Sequence, residues 1–248
     1  ISIDMKIYVS NDANELGSEA ASMIASKLNE IIAARGEARM VVSTGSSQFE
    51  MFRELVRENV NWQRVEVFHL DEYIGIPITH KASFRKYLYE RFINLVAVKR
   101  FHSIDVEKNI DTLLNELTSS LRNKPVDLGI IGIGVNGHIA FNDPPADLET
   151  REAFFRVKLN KECKLQQVNE GWFGSVEEVP ETAISMSVWQ IMQCKTIISV
   201  VPHKVKAEAV RLTFSESPGK MVPATMLKQH PDWHLFLDKE SASGVIRL

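Results

Sequence analysis

Along almost the whole chain, short apolar runs alternate with stretches whose apolar residues recur every three to four positions. This alternation constrains the fold most, because strands joined by helix-length connections pair in parallel and need a crossover helix on the sheet face. Met5 to Val9, Arg39 to Val42, Val65 to Leu70, Val126 to Ile133, Ile197 to Val201 and Trp233 to Leu237 read as strands. Val126 to Ile133 is nearly all apolar and ends in glycines, the pattern of a strand covered on both faces. Leu16, Ala20, Ile24, Leu28 and Ile32 lie at helical spacing with Gly36 as a stop, and Phe49, Phe52 and Val56 form a second stripe. Further helices are expected around Phe84, Tyr87, Leu88 and Phe92, around Leu113 to Leu121, and from Lys204 to Phe214. The predicted class is α/β with a mainly parallel sheet. Residues 1–248 read as a single domain, with an irregular lid or insertion around 142–181 where strand and helix signals mix.

A chain of 248 residues suits one such domain. A formal net charge of -3, with no stripe of lysines and arginines, argues against a nucleic-acid partner. No run approaches the roughly 18 apolar residues that a membrane span needs, and no signal peptide is expected from Ile1 to Lys6. Cys163 and Cys194 stand in unrelated contexts, so the chain reads as reduced and cytoplasmic.

In an open parallel sheet, ligands sit beyond the carboxyl ends of the strands. Polar motifs fall at four such ends, after Val42, Leu70, Ile133 and Val201, and this convergence points to one active site. Ser43-Thr44-Gly45-Ser46-Ser47 joins a strand to a helix, where N–H groups and the helix dipole suit a phosphate. It is no Walker loop, since no Gly-Lys-Ser/Thr follows. Gly132-Ile133-Gly134-Val135-Asn136-Gly137 matches the dinucleotide pattern G-x-G-x-x-G, but Asn142-Asp143-Pro144-Pro145 follows too soon for a helix, so no nucleotide cofactor is expected. His138 follows those glycines, with Asn136 before it and Asp143 after, a setting that fixes a tautomer for proton transfer near neutral pH. Asp71-Glu72-Tyr73 puts a carboxylate behind a buried strand, where it can act as a base at carbon. His69, Asp71 and His138 have the donor atoms for a metal, but no ligand spacing supports one, and none is expected. His203, Lys204 and Lys206 place cations at a helix start, against its dipole, and so call for an anion nearby. The segments around Trp172 and Trp189 read as core or lid packing.

Phe68-His69-Leu70-Asp71-Glu72-Tyr73-Ile74-Gly75 and the stretch Gly132 to Pro144 resemble the two signature blocks of glucosamine-6-phosphate deaminases. Ser43 to Ser46 sits where that family has its Thr-Gly-Gly-Thr phosphate loop, and Ser83 to Phe92, Val179-Pro180 and Lys206 to Val210 are similar to family segments. The resemblance implies a Rossmann-like, modified doubly wound sheet with helices on both faces, shared with 6-phosphogluconolactonases and ribose-5-phosphate isomerases. It implies hydrolytic deamination and isomerisation of glucosamine 6-phosphate to fructose 6-phosphate and ammonia, in amino-sugar breakdown. By position, His138 would open the pyranose ring, supported by Asp143 and Asn136, and Asp71 would move a proton between C2 and C1. Thr44, Gly45, Ser46, Ser47 and Lys206 would hold the phosphate, with Glu72 and Gly137 completing the substrate-binding set. The partner is a small amino-sugar phosphate, and homo-oligomerisation is left open.

Three residues depart from the family pattern. Asp143 stands where glutamate is usual, and Asn136 where some members have aspartate. Gly171, before Trp172-Phe173, stands where a phosphate-binding arginine is expected, so His203 or Lys204 is expected to supply the missing charge. The rival readings are a galactosamine-6-phosphate deaminase, differing in sugar epimer, a 6-phosphogluconolactonase, which needs no base at carbon, and a non-catalytic sugar-phosphate sensor.

Overall fold

Ten strands and seven helices make up the regular structure of residues 6–245, which the computed structural model describes. The strands are β1 (Lys6–Ser10), β2 (Ala38–Val42), β3 (Val65–His69), β4 (Asp71–Tyr73), β5 (Arg100–His102), β6 (Leu128–Ile130), β7 (Phe154–Lys158), β8 (Thr182–Met186), β9 (Thr196–Val201) and β10 (Trp233–Asp238). The helices are α1 (Ala13–Arg35), α2 (Phe49–Leu55), α3 (Phe84–Leu88), α4 (Ile110–Arg122), α5 (Lys161–Asn169), α6 (Val188–Ile191) and α7 (Ala207–Ser215).

Seven strands form the central sheet in the order β1-β10-β9-β6-β2-β3-β5, with every neighbouring pair parallel. From β2 the chain moves outward through β3 to β5, then returns to β6 on the other side of β2 and moves out through β9 to β10. The direction therefore reverses between β2 and β6, and a crevice opens beyond their carboxyl ends. A second, antiparallel sheet, β4-β8-β7, hangs from the first. Its anchor is Leu70, whose N–H donates to Val42 O (3.2 Å) and whose carbonyl accepts from Met186 N (2.7 Å).

Both faces of the large sheet are covered. Val41, Phe68, Ile131 and Val201 pack with Leu113, Leu117 and Leu121 of α4 and Ala209 and Val210 of α7. Met40, Val42 and Ile130 pack on the other face with Leu16, Ile24 and Leu28 of α1 and Phe52 and Leu55 of α2. Each fully buried Leu or Ile contributes roughly 1.5–3 kcal/mol. Helix α1 starts where the Asp12 carboxylate accepts from Asn14 N and Glu15 N, and it stops at Gly36 as the sequence predicts.

Several boundaries differ from expectation. The strand predicted from Met5 begins in the described residues at Lys6. Of Val126 to Ile133 only Leu128–Ile130 lies in the ladder on both sides. Lys204–Lys206 is a 3-10 turn, with α7 starting at Ala207, and α3 widens after Leu88 into a π turn, Tyr89–Ile93. The stretch read as irregular contains β7, α5 and a 3-10 turn at Val176–Glu178. Among the described residues no helix is long and apolar enough to cross a membrane.

Candidate active site

The crevice between β2 and β6 widens into a cavity open to solvent beyond the carboxyl ends of the strands. Ser43, Thr44, Gly45, Ser46, Ser47, Asp71, Gly134, His138 and Lys206 line it, so all four strand ends contribute. Gln48, Phe84, Phe141 and a wall of Gln166, Gln167, Glu170 and Trp172 complete it.

The turn after β2 is held from three sides. Ser43 N donates to Ile130 O (2.9 Å), Tyr87 Oη donates to Gly45 O (2.8 Å), and Gln48 Nε2 donates to Val200 O (3.0 Å). The chain then enters a 3-10 turn, Ser46–Gln48, that runs into α2. The leading N–H groups of such a turn lack acceptors within it and are presented to whatever lies beyond the sheet edge. Lys206 comes from the turn after β9 and is 7% exposed. Burial pulls its ammonium below its ordinary value, with Glu170 acting in the opposite direction.

His138 has one tautomer. Asn136 Oδ1 accepts from the backbone N–H of His138 (3.2 Å), which identifies that atom as oxygen, and the same oxygen lies 2.6 Å from Nδ1. Nδ1 must therefore carry the proton, and Nε2 keeps a free lone pair. Asp143 Oδ1 lies 3.5 Å from the same Nδ1. Burial, reinforced by Lys206, lowers the imidazole to about 3, so it is neutral at physiological pH. Burial raises Asp143 to about 6, with the nearby Cys163 thiol working against it. The ring lies directly over Gly134, where an added Cβ would meet His138 Cε1 at 2.0 Å. The glycine that suggested a nucleotide loop thus makes room for an imidazole, and no helix opens behind Gly137.

Asp71 begins β4, opposite Ser185, and its carboxyl is pushed well above the usual range by burial, then by Glu72 and Asp143. Its neighbour has a different job, which corrects the assignment of Glu72 to substrate. Glu72 is fully buried and accepts from Ser83 Oγ (2.9 Å), Phe84 N (3.1 Å), Arg85 N (2.9 Å) and Arg85 Nε (3.1 Å). It ties β4 to the start of α3, and so fixes where Asp71 sits.

Three more assignments are corrected. Gly137 lies off the cavity, and its carbonyl accepts from Ala224 N (2.8 Å). The His203 N–H donates to Asp238 Oδ2 (2.8 Å), Lys204 is exposed, and neither is among the residues that line the cavity. Asn136 and Asp143 stand on the Nδ1 side of His138. His69, weighed as a metal ligand, accepts from Ile104 N through Nε2 (2.8 Å) and is committed to the fold.

Gly171 has a φ of +83°, at the end of α5, where its N–H donates to Val168 O (2.9 Å). An arginine there would be strained by its Cβ, so the backbone itself calls for glycine. Trp172 turns back into the cavity and Phe173 into a cluster with Tyr73 and Phe141. Trp172, read as packing, is a wall of the site.

A cavity at the carboxyl edge of a Rossmann-like sheet, lined by Asp71, His138, Lys206 and the turn after β2, defines the class, an α/β protein with a polar small-ligand site at its strand ends. Residues 11–235 match a family profile described as glucosamine-6-phosphate isomerases/6-phosphogluconolactonase. Glucosamine-6-phosphate deaminases of Thermoanaerobacter pseudethanolicus and Alkaliphilus oremlandii are 32% and 35% identical, covering 96% of this chain and 94% and 99% of theirs. A solved monomeric glucosamine-6-phosphate deaminase superposes with a TM-score of 0.86 at 29% identity, over 97% of this chain and 100% of that one. The 6-phosphogluconolactonase of Thermotoga maritima, at 15% identity and a TM-score of 0.79 over 95% and 100%, shares the fold. The chain belongs to the glucosamine-6-phosphate isomerase/6-phosphogluconolactonase family.

Proposed function

We propose that the protein converts glucosamine 6-phosphate and water into fructose 6-phosphate and ammonia. The observation that carries this reading is the meeting of Asp71, His138, Thr44 to Ser47 and Lys206 around one cavity, in a chain of this family. The phosphate rests on the Thr44–Ser47 turn and Lys206, which give it N–H and hydroxyl donors and one buried cation. Nε2 of His138 takes the proton of the anomeric hydroxyl and returns it to the ring oxygen, opening the pyranose. Asp143 and the Asn136 oxygen flank Nδ1–H while the ring carries charge. Asp71 then removes the proton at C2 of the open aldehyde and delivers it to C1, while a proton of the amine passes to O1, so that C1 becomes a hydroxymethyl group and C2 an imine. Water adds to that carbon and ammonia departs. A lactonase needs no base at carbon, and Asp71, facing the cavity with a raised carboxyl, favours the isomerising reading. Ammonia release from a panel of amino-sugar 6-phosphates tests it: release from none of them removes it.

Two expected results follow from the site. Lys206→Ala raises KM for the phosphorylated sugar about 10- to 100-fold, the scale of one charge-assisted hydrogen bond, while Lys204→Ala leaves it unchanged. Equal KM values in both variants would move the phosphate elsewhere. The second result concerns pH. Protonating Asp143 removes the carboxylate beside Nδ1, so kcat/KM falls as pH drops through about 6. Asp71, whose carboxyl burial also raises, must likewise be ionised to act as the base. A profile flat from pH 8 to pH 5, with the fold intact by circular dichroism, would contradict this assignment.

A further inference from the structure

Helix α5 turns one face to the cavity. Cys163, Gln167 and Glu170 stand at i, i+4 and i+7, a spacing that stacks their side chains along about 10 Å of helix. The two ends of this face are placed by what they meet. Cys163 packs with Tyr73 and Phe141, and its thiol is pushed up by burial and then by the charges of Asp143 and Asp71, at the proton-transfer end. Glu170 acts on the Lys206 ammonium, at the other end. Gln167 lies between them and lines the cavity.

Gln167 is only 6% exposed, yet among the described residues its amide bonds to no other group, and its atoms are not sealed off from the cavity. Its backbone serves the fold, the carbonyl accepting from Trp172 N (3.0 Å), while its side chain does not. A polar group held this far out of water is costly unless the occupant of the cavity satisfies it. An amide offers N–H donors and a carbonyl acceptor, and a hydroxyl, which both donates and accepts, answers either.

We infer that Gln167 is a specificity-determining residue that hydrogen-bonds the C4 hydroxyl of the sugar phosphate. The inference rests on the reading of the cavity as a sugar-phosphate site. With C2 at Asp71 and the phosphate of C6 at Lys206, C4 is the carbon midway, opposite the middle of the α5 face.

Calorimetry with three unreactive ligands tests it: 2-amino-2-deoxyglucitol 6-phosphate and its 3-deoxy and 4-deoxy forms. The wild-type protein is expected to bind the 4-deoxy form about tenfold more weakly than the parent, the scale of one neutral hydrogen bond. Gln167→Met keeps an unbranched, helix-favouring side chain and removes no hydrogen bond within the fold. This variant is expected to bind the parent about tenfold more weakly and to make no distinction between the parent and its 4-deoxy form. Any loss for the 3-deoxy form should be the same in both proteins, which confines the coupling to C4. A 4-deoxy penalty that persists in Gln167→Met, or coupling to C3 in place of C4, would overturn the inference and leave the sugar-phosphate reading standing. So would a wild-type protein indifferent to the C4 hydroxyl. Failure of the wild-type protein to bind the parent ligand would overturn both readings.

Discussion

Replacing Asp71 with asparagine is expected to lower turnover of glucosamine 6-phosphate by at least about 100-fold, the ordinary scale for losing a general base. The protein should nevertheless fold, and should melt at a higher temperature at pH 8. Asp71 opens β4 with Glu72 and Asp143 as its charged neighbours, and its carboxyl is raised by burial and by both of them. An acid whose folded value exceeds its unfolded value weakens the fold at every pH where it is ionised. Asparagine has no charge to bury, so the variant gains stability above the carboxyl's folded value, and the gain disappears in acid below about pH 4. The strand does not move, because Leu70 and the Glu72–Arg85 contact fix it without help from Asp71. Loss of activity with a raised melting temperature is the signature of a functional group held at a cost. Turnover near that of the wild type would remove Asp71 from the mechanism.

His138→Gln is expected to cost about 10²- to 10⁴-fold on glucosamine 6-phosphate, again the range for acid–base catalysis. Here the substrate should matter. Nε2 is the free nitrogen of a ring whose Nδ1 is committed to Asn136, and the proposed task of Nε2 is ring opening. An analogue lacking both the C4 and the C5 hydroxyl can close neither a pyranose nor a furanose and needs no such step. Single-turnover rates should therefore fall much less on that analogue than on the natural sugar. Equal losses on both would assign His138 to chemistry at carbon or to the architecture of the loop.

The central sheet was largely legible in the sequence because β2, β3, β9 and β10 are short, mostly buried runs in which apolar residues outnumber the few polar ones, such as Arg39, Glu66 and Ser199. The second sheet was not. In β8 the run Thr182–Met186 includes Ser185, which looks like a break. Yet the Ser185 hydroxyl accepts from Phe141 N (3.0 Å) and donates to Met186 O (3.1 Å), so it is a buried tie that holds the loop behind His138. Helix α5 hides for a related reason. Its buried positions are Cys163, Lys164 and Gln167, so no apolar stripe marks it. The residues that carry proton chemistry, Asp71 and His138, could be picked out by their place at strand ends. Gln166, Gln167, Glu170 and Trp172 could not, because periodicity carries no signal for a polar helix that lines a cavity. The one available hint was Gly171, where the sequence leaves the family pattern, and the positive φ there favours glycine over arginine. His203 and Lys204 look like phosphate ligands by charge and position, but the 3-10 turn sends only Lys206 into the cavity.

The most direct test of the central claim follows both products at once. Purified protein is incubated with glucosamine 6-phosphate in an NMR tube, and ammonium and fructose 6-phosphate are quantified over time. The mechanism requires one ammonium for each ketose phosphate, appearing together and without added cofactor. Ketose without ammonium, ammonium without ketose, or an inert amino sugar alongside rapid hydrolysis of 6-phosphogluconolactone would contradict it.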